Sequence, residues 1–222
     1  MAIAIETKDC TQLSDAELVE MADICAEGPS SFEIGLLSKQ VEAWVLITMA
    51  RDGRNLRGFS FCTLERIGGT PCVLIGCASV KRTSRRDAAL RAMMTDQFRR
   101  AVLAFPDEDV LVGTRLVSAD GFEAFKNLDD IVPRPDHKAS GEERAWGRRL
   151  AKRFGIENGN YRDRDFIAGG DGSFPLALDH ESLNPDKLSP EVIAFFDDVK
   201  PAKGDSLIAF GWAMAEDLAK LS

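Results

Sequence analysis

Four cations fall within six residues at Lys81-Arg82-Thr83-Ser84-Arg85-Arg86, in a chain whose formal net charge is −8. At the start of a helix such a cluster suits an anion. The amides of a first helical turn lack intrahelical acceptors, and the positive end of the helix dipole points the same way. The same residues admit a second use. Ser84 and Asp87 stand at capping-box spacing, in which the hydroxyl accepts from the Asp87 amide and the carboxylate reaches back. That arrangement would set a negative charge where a phosphate would go, so the two uses compete and both stay open.

Glu65 is the best-placed carboxylate for general-base work, because it follows the Phe59, Phe61, Thr63 face towards a strand end. Withdrawing a proton from an ammonium group needs such a group or a water that it holds. The plainer reading is a solvated strand-end acid. His137 and His180 lie in polar loop sequence without a ligand pattern, and a catalytic dyad is not expected of them. Cys77 reads as packing in a buried strand, where apolar surroundings raise a thiol's pKa. Asp171-Gly172 lacks the further carboxylates that a calcium loop needs. The basic row at 144–153 could receive a phosphate tail or an acidic carrier. As a solvated helix face it buries only Trp146, Leu150 and Phe154.

The elements that must position these groups centre on residues 71–117. An apolar run, Cys72-Val73-Leu74-Ile75-Gly76-Cys77-Ala78, reads as a strand buried on both faces. The basic turn follows, then a long amphipathic helix with Leu90, Met94, Phe98, Ala101, Val102 and Phe105 at spacings of three and four, opposite Arg91, Thr95 and Arg99. A second apolar run covers 110–117. Strand, helix, strand of this length predicts a parallel, right-handed crossover. Upstream, Gly68-Gly69 predicts a tight hairpin, so the strand at 73–80 pairs antiparallel with its predecessor at 56–67.

The rest is placed around this unit. We expect a first strand at 2–5, a helix at 15–27 capped by Ser14 with Glu17, and a strand at 42–50. A short helix is expected at 118–127, one capped by Ser140 at 141–154, a hairpin at 165–178, and two closing helices at 190–199 and 206–221. Pro133-Arg134-Pro135-Asp136 marks a break. The expected division is a core at 1–135 and an α/β extension at 136–222 packed on it. The fold class is α/β with a mixed sheet, an antiparallel meander feeding one parallel crossover.

With 45% apolar and 29% charged residues the chain can bury a core behind a soluble surface. The acidic balance argues against nucleic-acid binding, which needs massed Lys and Arg. No run approaches the roughly 18 apolar residues of a membrane helix. Cys10, Cys25, Cys62, Cys72 and Cys77 form no metal-like pair, and no signal peptide is read in Met1-Ala2-Ile3-Ala4-Ile5-Glu6. The expectation is a cytoplasmic protein with free thiols and no metal.

This order of elements resembles the GNAT acetyltransferase superfamily over roughly residues 1–128, with the 165–178 hairpin standing for its closing strands. The resemblance implies an acyl-CoA, acetyl-CoA first, as co-substrate. Its pantetheine arm would lie between the two crossover strands, along Ala78 and Val80. Its pyrophosphate would rest on the turn and helix start, at Arg82, Ser84, Arg85, Arg86, Asp87 and Ala88. Ser118 and Phe125 correspond to the family's further contact and its proton-donating tyrosine. Two departures stand out. The family turn carries an Arg or Gln followed by two small residues, and Arg85, Ala88 and Leu90 occupy those places here. Phe125 has no proton to give, and Tyr161, the one tyrosine, is distant in sequence. Two functions follow. One is an acyl-CoA-dependent N-acyltransferase acting on a small-molecule or protein amine, with Glu65 or its water as base. The other is a non-catalytic ligand-binding or interaction module on the same fold, with oligomeric state open.

Overall fold

In the computed structural model, which describes residues 3–221, one sheet runs through nearly the whole chain. Strand β1 (Ala4–Asp9) leads through helix α1 (Asp15–Ala26), whose Ser14–Glu17 capping box forms as expected. Helix α2 (Ile34–Ala43) takes residues expected to begin a strand. Strand β2 is therefore shorter, Leu46–Asp52. The expected first strand included Ala2, which lies outside the described residues.

Strands β3 (Asn55–Ile67) and β4 (Thr70–Val80) form the expected hairpin, with Gly68 at φ 60° and Gly69 at φ 91°. Both angles belong to a primed turn, which glycine enters without steric cost. Helix α3 (Arg86–Ala104) then crosses back to β5 (Val110–Leu116), and β4 and β5 are parallel neighbours, Cys72 facing Leu111 through Ile75 facing Thr114. Leu90, Met94, Phe98 and Ala101 are buried along α3, as is Phe105 just after it, while Val102 of the expected stripe is only half-buried. The residues expected as a short helix form a 3-10 turn, Ala119–Phe125.

The second half departs further from expectation. A short strand, β6 (Asp129–Val132), was not anticipated. Helix α4 (Gly141–Arg153) is capped by Ser140 as expected, and Glu143 completes a capping box that was not anticipated. The 165–178 hairpin does not form. Strand β7 (Tyr161–Arg162) pairs with β8 (Ile167–Ala168), while β9 (Leu178–Asp179) goes elsewhere in the sheet. After the short α5 (Pro190–Ala194) comes β10 (Ser206–Ala213), where a helix was expected, and a brief α6 (Ala215–Leu218). An eight-residue apolar run carries no period that separates strand from buried helix. Here the antiparallel pairing of Leu207–Ala213 with β5 decides it, and Leu207, Ile208, Ala209 and Phe210 are all buried.

The sheet order is β1-β2-β3-β4-β9-β5-β10-β8-β7, with β6 also on β10. The extension expected at 136–222 thus supplies β10, β8 and β9 to the same sheet as the crossover. No helix among the described residues is long and apolar enough to cross a membrane.

Candidate functional site: the gap between β4 and β5

The site begins with a register slip. Along β3 and β4, Ser60 faces Ala78 but Cys62 faces Ile75, so Gly76 and Cys77 share the one residue Phe61. One extra residue makes a β-bulge, which bends its strand and increases the local twist. Below the bulge β4 pairs with β5; above it the two strands part. Glycine is required at the bend, because the Trp44 ring lies against the Gly76 backbone where any Cβ would sit.

The chain fills this gap with itself. Leu178 of β9 pairs in parallel with Ala78 of β4 and also with Leu116 of β5, and Asp179 faces Ser79. The Ala78 amide donates to the Ala177 carbonyl at 3.2 Å. Leu178, Asp179 and His180 are all buried.

The basic turn lies at the mouth of the gap, and every cation in it is matched. Lys81 pairs with Glu27 at 2.9 Å and Arg85 with Asp52 at 3.1 Å. Arg82 pairs with Asp179 at 2.9 Å and Glu181 at 3.4 Å. Arg86 pairs with Glu181 at 3.1 Å and also donates to the carbonyls of Glu181, Ser182 and Thr83. Two of the four are therefore neutralised by the segment that fills the gap.

The expected capping box at Ser84 does not form. Arg85 is the N-cap residue and offers no side-chain cap, while Ser84 is exposed. The Asp87 carboxylate is drawn away, accepting from the Leu183 amide at 3.1 Å and meeting His180 Nε2 at 3.1 Å. Buried carboxylates take the best available donors, and these come from the inserted segment. Ser84→Ala is accordingly expected to change stability by no more than about 0.5 kcal/mol, the range of an exposed, unpartnered site. A urea midpoint lower by the roughly 1 kcal/mol of a lost cap would contradict this.

His180, read as polar loop sequence, is instead buried beside Asp87. Burial pushes its pKa below the ordinary histidine value, against the pull of Asp87, and its Nδ1 is buried without a partner. Arg82 Nη1 is likewise buried and unpartnered. These groups, with Glu27, Ser118 and Asp120, line a cavity of about 650 Å³ at the mouth. A clue was legible in Asp179-His180-Glu181, an acidic run complementary to the basic turn.

The remaining expected residues scatter. Val80 and Ala78 border the gap, Ala78 through its bond to Ala177. Ala88 is half-buried in the first turn of α3. Ser118 flanks the mouth, and Phe125 is fully buried edge-to-face on Phe122, with centroids 6.1 Å apart. Glu65 is not brought to the gap. It faces Cys72, six residues from Ala78 along β4, which is about 20 Å at strand rise, and it forms an ion pair with Arg153 at 2.6 Å. Tyr161 is also remote, its hydroxyl buried against Gly147 without a hydrogen bond. Among the described residues no group of three or more His, Cys, Asp or Glu could hold a metal.

No family model matches the chain, and no curated protein matches it. Solved structures similar to it include an acetyltransferase of the GNAT family from Bacillus cereus, 11% identical, covering 60% of this chain and 90% of that one with a TM-score of 0.41. A Bacillus subtilis acetyltransferase in complex with CoA is 16% identical, with coverage of 62% and 88% and a TM-score of 0.40. The aminoglycoside 6'-N-acetyltransferase from Enterococcus faecium is 14% identical, with coverage of 56% and 73% and a TM-score of 0.38.

Proposed function

We propose that this chain is a divergent member of the GNAT superfamily whose acyl-CoA cleft is closed by its own strand β9, and that it works as a ligand-binding module rather than an acyltransferase. The kinship is supported by the order of elements: the meander, the bulge in β4, the crossover through α3, and β10 antiparallel to β5. The superfamily resemblance assigns the gap between the two crossover strands to the pantetheine arm. The residues present do not fit that group. Leu178 occupies the gap, and Asp179 and Glu181 take the arginines that would meet the pyrophosphate. The buried Leu90 stands where the turn needs a small residue, and the buried Phe125 where a proton donor belongs. The observation that carries the reading is the pairing of Leu178 to both Ala78 and Leu116.

A thermal melt in millimolar acetyl-CoA tests it. A ligand at a hundredfold excess over its Kd adds about 2.7 kcal/mol. At roughly 2–4 °C per kcal/mol for a chain of this size, a bound cofactor would raise the midpoint by about 5–10 °C. We expect no rise, and a rise of that size in the unaltered protein would overturn the reading.

One observation favours a second reading, acyl transfer to an amine after the segment withdraws. The four cations of the turn are all present, and the Glu181 side chain that holds two of them is about half exposed. On that reading Asp179→Asn with Glu181→Gln, which frees Arg82 and Arg86, would gain an acetyl-CoA response that the unaltered protein lacks.

A further inference from the structure

Arg115 is the one charged residue of β5, in a strand buried on every residue. It is 9% exposed. Its Nε donates to the Ser206 Oγ at 2.9 Å. Among the described residues no carboxylate lies within ion-pair distance of it, in contrast to Lys81, Arg82, Arg85 and Arg86, each of which has one. Burial holds its pKa down to about 10, against the pull of Asp171. A buried charge is costly unless it is paired and hydrogen-bonded, so the groups around Arg115 matter.

Arg115 lines a cavity of about 450 Å³, within the size range of small-ligand sites. Leu36, Phe154, Ile156, Phe174 and Leu176 supply its apolar lining. Two exposed carboxylates, Glu157 and Asp171, also line it. Neither pairs with Arg115 within 4.0 Å, although Asp171 is close enough to act on it electrostatically. A simple anion would gain the guanidinium and face both acids. A simple cation would gain the acids and face the guanidinium. A molecule carrying both charges satisfies all three.

We propose that this cavity binds a small zwitterion, an α-amino acid with an apolar side chain. Its carboxylate lies on the Arg115 guanidinium, its ammonium group faces Glu157 and Asp171, and its side chain rests on the apolar lining. The planar guanidinium with its free terminal nitrogens suits two parallel bonds to a carboxylate. The site lies beside the β4–β9–β5 gap and not within it, so it stands whether or not acetyl-CoA binds.

Thermal melts and calorimetric titration of the full chain with L-leucine, L-phenylalanine, leucinamide, N-acetyl-L-leucine and inorganic phosphate test it. At least one of the two amino acids is expected to raise the midpoint by several degrees. Leucinamide, which lacks the carboxylate, gives no shift, and N-acetyl-L-leucine, which lacks the ammonium group, binds at least tenfold more weakly. Arg115→Gln abolishes the response. Should that variant fail to fold, Glu157→Gln with Asp171→Asn alters only exposed residues. It is expected to erase the preference for L-leucine over N-acetyl-L-leucine. Silence of the unaltered protein towards both amino acids, an equal response in Arg115→Gln, or a shift with phosphate that matches or exceeds theirs would each overturn the assignment.

Discussion

Asp179→Ala is expected to cost about 3–5 kcal/mol, the usual loss when one member of a buried ion pair is removed and the other charge is left behind. Asp179 is 2% exposed, pairs with Arg82 at 2.9 Å, and accepts a hydrogen bond from Ser30 at 3.1 Å. Arg82 already has one buried nitrogen unsatisfied, and among the described residues Glu181 at 3.4 Å is its only other carboxylate. At roughly 2–4 °C per kcal/mol the midpoint should fall by about 6–20 °C. Arg82→Ala in the same chain should recover part of the loss, because the stranded charge goes with it. A local outcome is distinguishable from a global one. If β9 alone leaves the gap, amide exchange at Ala78 accelerates while that of the β2–β3 ladder stays slow. An unchanged midpoint together with unchanged exchange would show that Asp179 does not hold the segment in place.

That prediction rests on contacts the sequence hides, and the reason is distance along the chain. The crossover was legible because it is local: an apolar run, a cationic turn, an amphipathic helix and a second apolar run in direct succession. The Gly68-Gly69 hairpin was legible for the same reason. The partner of Ala78, by contrast, is Leu178, a hundred positions away in a short Leu176-Ala177-Leu178 run that looks like half of a hairpin. The bulge that opens the gap leaves no signature beyond a glycine in an apolar run. The strand at 206–213 failed as a helix because its pairing with β5, not its pattern, sets its conformation.

The site divides along the same line. The cations of the turn were legible, and their partners were not, because Glu27, Asp52, Asp179 and Glu181 come from three separate stretches. The Ser84–Asp87 spacing signalled a cap, and a buried histidine and a distant amide outcompeted it. Arg115 did carry a signal: a single charge inside a mostly apolar strand is costly enough to demand a reason.

Gly76→Ala is expected to cost about 3 kcal/mol or more, far above the effect of one added methyl group elsewhere. The Trp44 ring lies across the Gly76 backbone, so the new Cβ would fall among the ring atoms. The ring has little room to give. It is 9% exposed, tilted against Phe154 at 6.2 Å between centroids, covered by the Arg153 guanidinium at 5.2 Å, and hydrogen-bonded through Nε1 to Gln40. Moving it also strains the Arg153–Glu65 pair at 2.6 Å. Overpacking of this kind ordinarily costs about 1–3 kcal/mol, and displacing a buried tryptophan altogether about 3–5 kcal/mol. A double-mutant cycle checks the cause. Trp44→Ala alone should be destabilising, and adding Gly76→Ala to it should cost little, since the clash has been removed. Additive losses would place the penalty in the backbone of the bulge instead. A single Gly76→Ala variant with an unaltered urea midpoint would mean that Trp44 does not pack on the bend, and the account of why β4 leaves β5 at this residue would fall with it.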